Sequence, residues 1–158
     1  MTVYSATRPF SIRELSAADT HACAVFIRHL APEDIRLRFA SLYLSPAHLL
    51  PRGGESAGAA FLAVDAAGTI LGVVNLIELA AGAAEIAVIV RSDHKRRGIG
   101  RALLVRAIEW AAAREVGELI GLVLAENTAM LGLAAAMGFR GQRRDGYVVE
   151  VRRAVPGA

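Results

Sequence analysis

The chain has 158 residues, of which 54% are hydrophobic, with a formal net charge of +3 and a single cysteine. A chain of this length buries about two thirds of its extended surface, enough for one self-sufficient domain spanning residues 1–158. The lone Cys23 excludes an internal disulfide, and His21, His29, His48 and His94 show no zinc-like spacing, so no metal is expected.

The first residues, MTVYSATRPFSIREL, hold no sustained apolar core for a signal peptide, which with the single thiol points to a reduced, cytoplasmic setting. Arginine accounts for all of the 18 basic residues except Lys95, a bias that composition alone explains. The pairs Arg143-Arg144 and Arg152-Arg153 come without any RNP-like or zinc-finger pattern, so no nucleic-acid partner is expected.

Along the chain, residues 9–13 read as a strand and Ser16 as the cap of a helix running through residue 30. Pro32 sits at the first turn of a second, short helix that reaches Phe39, and Arg36 and Arg38 on it read as solvated charges. Pro46, Pro51, Gly53, Gly54 and Gly58 make residues 45–58 the most loop-like segment, a mobile border and not a domain linker. Strands are predicted near residues 60–64, 70–79 and 85–90, with a turn at residues 65–68, forming an antiparallel meander. The apolar stretch 66–84 approaches the length of a membrane span. Asn75 and Glu78 near its centre, Gly68, Gly72 and Gly82 within it, and its β-branched clusters fit paired strands instead, so no membrane partner is expected.

From residue 99 to 115, Leu103, Leu104, Ala107, Ile108 and Ala111 recur at helical spacing, and Gly117 is expected to stop that helix. Residues 119–124 form a short apolar strand, parallel to the one ending at Val90 because a helix connects them. Asn127 caps a further helix that Gly138 ends, and residues 147–151 close the sheet.

The run Val88 to Arg101, VIVRSDHKRRGIGR, joins an apolar strand to an amphipathic helix through a turn bearing Gly98 and Gly100. Without Cβ atoms these residues can take positive φ, so successive N–H groups can converge on an anion at the positive end of the helix. Lys95, Arg96, Arg97 and Arg101 add charge around it. Leu103 stands where the dinucleotide fingerprint needs its third glycine, and no Gly-Lys-Ser/Thr run exists for a P-loop. On the residues alone, a plain strand-to-helix turn remains the alternative.

Lys95-Arg96-Arg97-Gly98-Ile99-Gly100 resembles the acetyl-CoA loop of the GNAT acyltransferase superfamily, R/Q-x-x-G-x-G/A, with lysine where Arg or Gln is commoner. NTAMLGLAAAMGF from Asn127 is similar to the family's closing helix, except that Ala134 stands where many members carry a tyrosine. LAPEDIRLRFASLYLSPAHLL, AEIAVIVRSDHKRRGIGRALL and ENTAMLGLAAAMGF together resemble the acetyltransferase domain of bacterial protein lysine acetyltransferases, in which both departures are acceptable. The resemblance runs from residue 8 to residue 153.

It implies a layered α/β fold, GNAT-like, with a mixed, mostly antiparallel sheet of about 6–7 strands flanked by about four helices. It implies acetyl-CoA as cosubstrate, its pantetheine arm pairing with Val88, Ile89 and Val90 and its diphosphate held at Lys95, Arg96, Arg97, Gly98, Ile99, Gly100 and Arg101. Asn127 would bond the arm in addition to capping its helix, and Arg36 and Arg38 would lie on the acceptor side. Glu85, in A-E-x-A-V, would be the general base, with Glu78 in reserve and Glu126 a surface residue; none of Tyr4, Tyr43 and Tyr147 is assigned as a proton donor. The expected reaction is N-acetylation of an acceptor protein such as an acyl-CoA synthetase. A small amine acceptor, or an acyl-CoA sensor without turnover, are the alternatives.

Overall fold

The computed structural model describes residues 9–39, Leu49 and residues 58–157. The chain runs β1 (Ser11–Glu14), α1 (Thr20–Arg28), α2 (Pro32–Phe39), β2 (Gly58–Val64), β3 (Ile70–Glu78), β4 (Ala83–Val90), α3 (Ile99–Ala113), β5 (Glu118–Leu124), α4 (Thr128–Ala136), β6 (Arg140–Arg143) and β7 (Val148–Ala154). The strands form one seven-stranded sheet in the order β1-β2-β3-β4-β5-β7-β6. Every neighbouring pair is antiparallel except β4 with β5. That is the mixed, mostly antiparallel GNAT-like sheet, with four α-helices among the described residues. Except for Leu49 and for Gly58, which opens β2, the expected border at residues 45–58 lies outside the described residues, as do Tyr4, Tyr43 and His48.

Helices cover both faces of the sheet, which is why β2 and most of β3 read as continuous apolar runs without alternation. On one face α3 presents Leu103, Leu104, Ala107 and Ala111 to Phe61, Val74, Leu76, Ile86 and Leu119. Each large side chain buried there stabilises the fold by roughly 1.5–3 kcal/mol. The approach is close at Gly72, where an added Cβ would stand 3.0 Å from both Ile99 Cγ2 and Leu103 Cδ1. On the other face Cys23, Phe26, Leu30 and Ile35 cover Leu62, Val73 and Ile89. Burial there pushes the Cys23 thiol up to about 11, so it packs as a small apolar group.

Three local details differ from the sequence reading. Ser16 caps a short 3-10 turn, Ala17–Asp19, and not α1 itself: the Asp19 carboxylate reaches back to the Ser16 N–H at 2.9 Å, and α1 begins only at Thr20, ending at Arg28. Gly117 is not the stop of α3, because Glu115 takes the left-handed turn itself at φ 59° and the Val116 N–H returns to Ala111 C=O. β6, with the polar sequence RGQR, carries no apolar signal and forms only because β7 pairs with it from Arg140↔Arg152 to Arg143↔Val149. The stretch once comparable to a membrane span is β3 and the start of β4, and no described helix is long and apolar enough to cross a membrane.

Candidate active site

The site begins where the sheet comes apart. β4 and β5 pair in parallel only from Ala83↔Glu118 to Glu85↔Ile120, although both strands continue. A cavity of about 530 Å³ lies in the gap, lined by Ile86 to Val90 on one side and Gly121 to Val123 on the other. α2 closes it from one face of the sheet through Asp34, Leu37 and Arg38, and α3 and α4 from the other through Leu104, Met130 and Leu133.

The β3–β4 ladder decides which backbone groups face this gap. Arg91 N–H to Leu71 C=O at 2.7 Å and Leu79 N–H to Ala83 C=O at 2.8 Å bracket it. By antiparallel alternation Glu85, Ala87 and Ile89 turn their backbone groups toward β3, whereas Ile86, Val88 and Val90 turn theirs toward β5. Beyond Glu85 β5 no longer answers, so an edge of alternating donors and acceptors runs along the cavity wall. Val88 and Val90 belong to that edge, while Ile89 gives its backbone to Val73 and its side chain to the core.

At the end of β4 the chain makes a short turn over Ser92–His94 and enters the glycine loop. Arg96 sits at φ 63° and Gly98 at φ 79°, two left-handed residues that wind the loop tightly before α3. The first α3 bond joins Ala102 N–H to Gly98 C=O, leaving the amides of Ile99, Gly100 and Arg101 outside the helix ladder. Gly98 is the N-cap and has no side chain to satisfy them. An added Cβ at Gly100 would fall 2.9 Å from Leu133 Cδ2, which keeps this point open where α3 and α4 meet. Exposed donors, a helix dipole and a left-handed glycine together make an anion cradle at one end of an edge-lined cleft.

Residues 24–139 match the model of the Acetyltransferase (GNAT) family. The chain belongs to that family. As a GNAT acetyltransferase it is an acyltransferase, and the cleft and loop have the chemistry that acetyl-CoA asks for: amide partners along an extended arm and donors for a diphosphate. No curated protein matches the chain in sequence. Its fold is similar to the GNAT domain of S. lividans PAT, with a TM-score of 0.83 at 21% identity over 92% of this chain and 90% of that one. It is also similar to spermidine N-acetyltransferase from Vibrio cholerae in complex with CoA and spermine, with a TM-score of 0.75 at 19% identity over 94% and 97% of the chains. The ribosomal-protein-S18-alanine N-acetyltransferase from Escherichia coli gives 0.71 at 21% identity over 94% and 96%.

Within this GNAT cleft the sequence-derived residues fall into groups. Val88, Ile89, Val90, Lys95, Arg96, Gly98, Ile99, Gly100, Arg101 and Asn127 line the cavity, whereas Arg97 is exposed outside it. The ammonium of Lys95 is ion-paired to Asp34. Asn127 caps α4, its Oδ1 accepting from Met130 N–H at 3.2 Å. Ala134, in place of the familiar tyrosine, is buried.

Glu85 stands at the last paired position of β4 before the gap, beside the cavity and not among its lining residues. Its side chain is exposed and shares the α2-facing side of the sheet with Asn75 and Ala87. Glu78 points to the opposite face and is held by Arg114 Nε at 2.6 Å. Arg38 corrects the reading of α2 as a solvated face: it is half-buried, lines the cavity, and donates to Asn75 Oδ1 at 3.4 Å. Burial pushes its guanidinium down to about 10, against the pull of the Glu85 carboxylate, so it is a cation at neutral pH. Asn75 Nδ2 donates in turn to Leu49 C=O at 2.7 Å.

Sequence reading missed Asp34, Leu37, His94, Leu122 and Phe139 in the cavity wall. Leu122 is the informative one, since a leucine 58% exposed in a strand marks a stretch of the sheet left open by the described helices.

Proposed function

We propose that this GNAT enzyme transfers the acetyl group of acetyl-CoA to a primary amine, with a protein lysine as acceptor and Glu85 as general base. The observation that carries the proposal is the unpaired β4 edge leading directly into the glycine cradle, with a carboxylate at the vertex where β4 and β5 part.

In this reading acetyl-CoA supplies the reactive thioester. The backbone of Val88 and Val90 pairs with the extended arm, and the amide of one of the two polarises the thioester carbonyl. The N–H groups from Gly98 to Arg101, with the α3 dipole, receive the diphosphate, and Arg96 and Arg101 screen its charge. A lysine with pKa ~10.4 is protonated at neutral pH, and freeing its lone pair costs about 4–5 kcal/mol. Glu85 takes that proton, directly or through one water. The nitrogen then forms its bond to the acyl carbon, the carbon–sulfur bond breaks, and the sulfur, whose thiol has a pKa near ~8.5, departs as thiolate without a dedicated acid and takes up the second proton that the nitrogen sheds. Loss of the tyrosine at Ala134 is compatible with this.

A protein acceptor is supported by the fold similarity to the PAT domain and by the open sheet face at Leu122 beside the cleft. The test is thiol release from acetyl-CoA by wild type and Glu85→Gln, offered an acyl-CoA synthetase, lysine peptides and a panel of small amines. Release with the protein acceptor, reduced at least about tenfold in the variant with cofactor affinity unchanged, is the expected result. Release with small amines alone moves the acceptor to that class. Cofactor binding with no release from any acceptor, in either form, points to a sensor.

A further inference from the structure

We infer that Asp34 on α2 is a positioning residue for the loop that receives the diphosphate, acting through Ser92 and Lys95. The inference rests on the proposed role of residues 95–101 and adds to it the element that holds them in shape.

A carboxylate is the wrong charge to find beside an anion cradle. Asp34 nevertheless lines the cavity, its side chain is only 13% exposed, and both its oxygens are engaged with the loop. Oδ2 accepts from Ser92 Oγ at 2.5 Å, and Oδ1 takes the ammonium of Lys95. Ser92 Oγ also accepts the Ala31 N–H at 2.8 Å, so the start of α2 and the turn after β4 are joined from both directions. These contacts close over 58 and 61 residues of sequence.

The loop has reason to need such a tether. Arg96, directly after Lys95, is a non-glycine residue in the left-handed region, a conformation that persists only when the surroundings hold it. Asp34 fixes the residues just before it and holds the ammonium of Lys95, the only lysine of the chain, by an ion pair. Charge complementarity is given up locally so that the amide donors stay aligned.

The two physical accounts of Asp34 differ in sign. If it contributed only charge, Asp34→Asn would remove a repulsive carboxylate, release Lys95 toward the diphosphate, and tighten CoA binding. If it positions the loop, the same change weakens binding. Calorimetric titration of the full chain with CoA, with steady-state kinetics and thermal unfolding alongside, separates them for wild type, Asp34→Asn, Ser92→Ala and the double variant. The expected result is about a tenfold loss of CoA affinity in each single variant, little further loss in the double, kcat at saturation within about twofold, and an unchanged unfolding midpoint. Equal or tighter binding by Asp34→Asn overturns the inference. So does an affinity loss in both single variants that comes with equal losses of kcat and of thermal stability. Gly98→Ala, strained at φ 79°, reports on the cradle itself: if it binds CoA as wild type does, the cradle reading falls and the role of Asp34 falls with it.

Discussion

The Arg36 guanidinium reaches from α2 to the turn between β5 and α4, where its Nη1 lies 2.7 Å from Glu126 Oε1. The same guanidinium is held from below by Glu33 of its own helix. The pair ties the helix that closes one face of the cleft to the turn that opens the helix on the other, across 90 residues of sequence. Glu126 therefore has a defined partner, although it is exposed.

Because Glu126 is exposed and Arg36 is partly so, their pairing is expected to hold geometry more than stability. Glu126→Gln should leave the thermal midpoint within about 2 °C of wild type. Hydrogen exchange should quicken in the α2 amides while β4 stays protected, and restoring the pair in the swapped double variant Arg36→Glu with Glu126→Arg should slow it again.

Arg38 makes a prediction with a definite pH sign. A lysine is a weaker base than arginine to begin with, so the burial that pushes the Arg38 guanidinium down to about 10 would push an ammonium at this position down too, from a lower start. Arg38→Lys should therefore come nearest to wild type at the acid end of the range and lose its charge at a lower pH than the arginine does. The ratio of variant to wild-type kcat/KM, measured from pH 6.5 to about 9, should fall with rising pH. A constant ratio would show that the charge at this position does not matter to turnover.

Asp19 links stability to acid. Arg13 donates to both its oxygens at 2.9 and 2.8 Å and the Ser16 N–H adds a third bond, holding the carboxyl down at about 2 from an ordinary 3.8. Since the folded value is depressed, the stabilisation is present above about 3.8 and lost as pH falls through about 2. Arg13 is half-exposed, so screening limits the contribution to on the order of 1–2 kcal/mol. Denaturant unfolding should show Asp19→Asn less stable by that amount at neutral pH, with the gap closing toward pH 2.

Much of the fold was legible because its signals are local. Leu103, Leu104, Ala107 and Ala111 repeat with the helical period and are the buried face of α3. Asn127 and Gly138 bracket α4 as cap and left-handed terminator, at φ 86° for the glycine. The meander β2–β3–β4 follows from short turns, with Asp65 Oδ1 accepting the N–H groups of Ala67 and Thr69. β6 was not legible, since RGQR has neither alternation nor β-branching and depends on β7 for its existence. In the site, the glycine loop announced itself by composition, whereas Arg38 looked like any other helix charge until the sheet came up against it.

The sequence by itself determined where the helices, the glycine turn and every strand but β6 lie, because backbone sterics, hydrophobic period and helix capping act within a few residues. The tertiary structure alone decided that β4 and β5 part after Glu85, and that of β4's backbone Val88 and Val90, unlike Ile89, face the gap. It also decided that Lys95 answers to Asp34. Those outcomes depend on strand register and on charges brought together from distant parts of the chain, and no local rule reports which of two partners a strand edge or an ammonium will find.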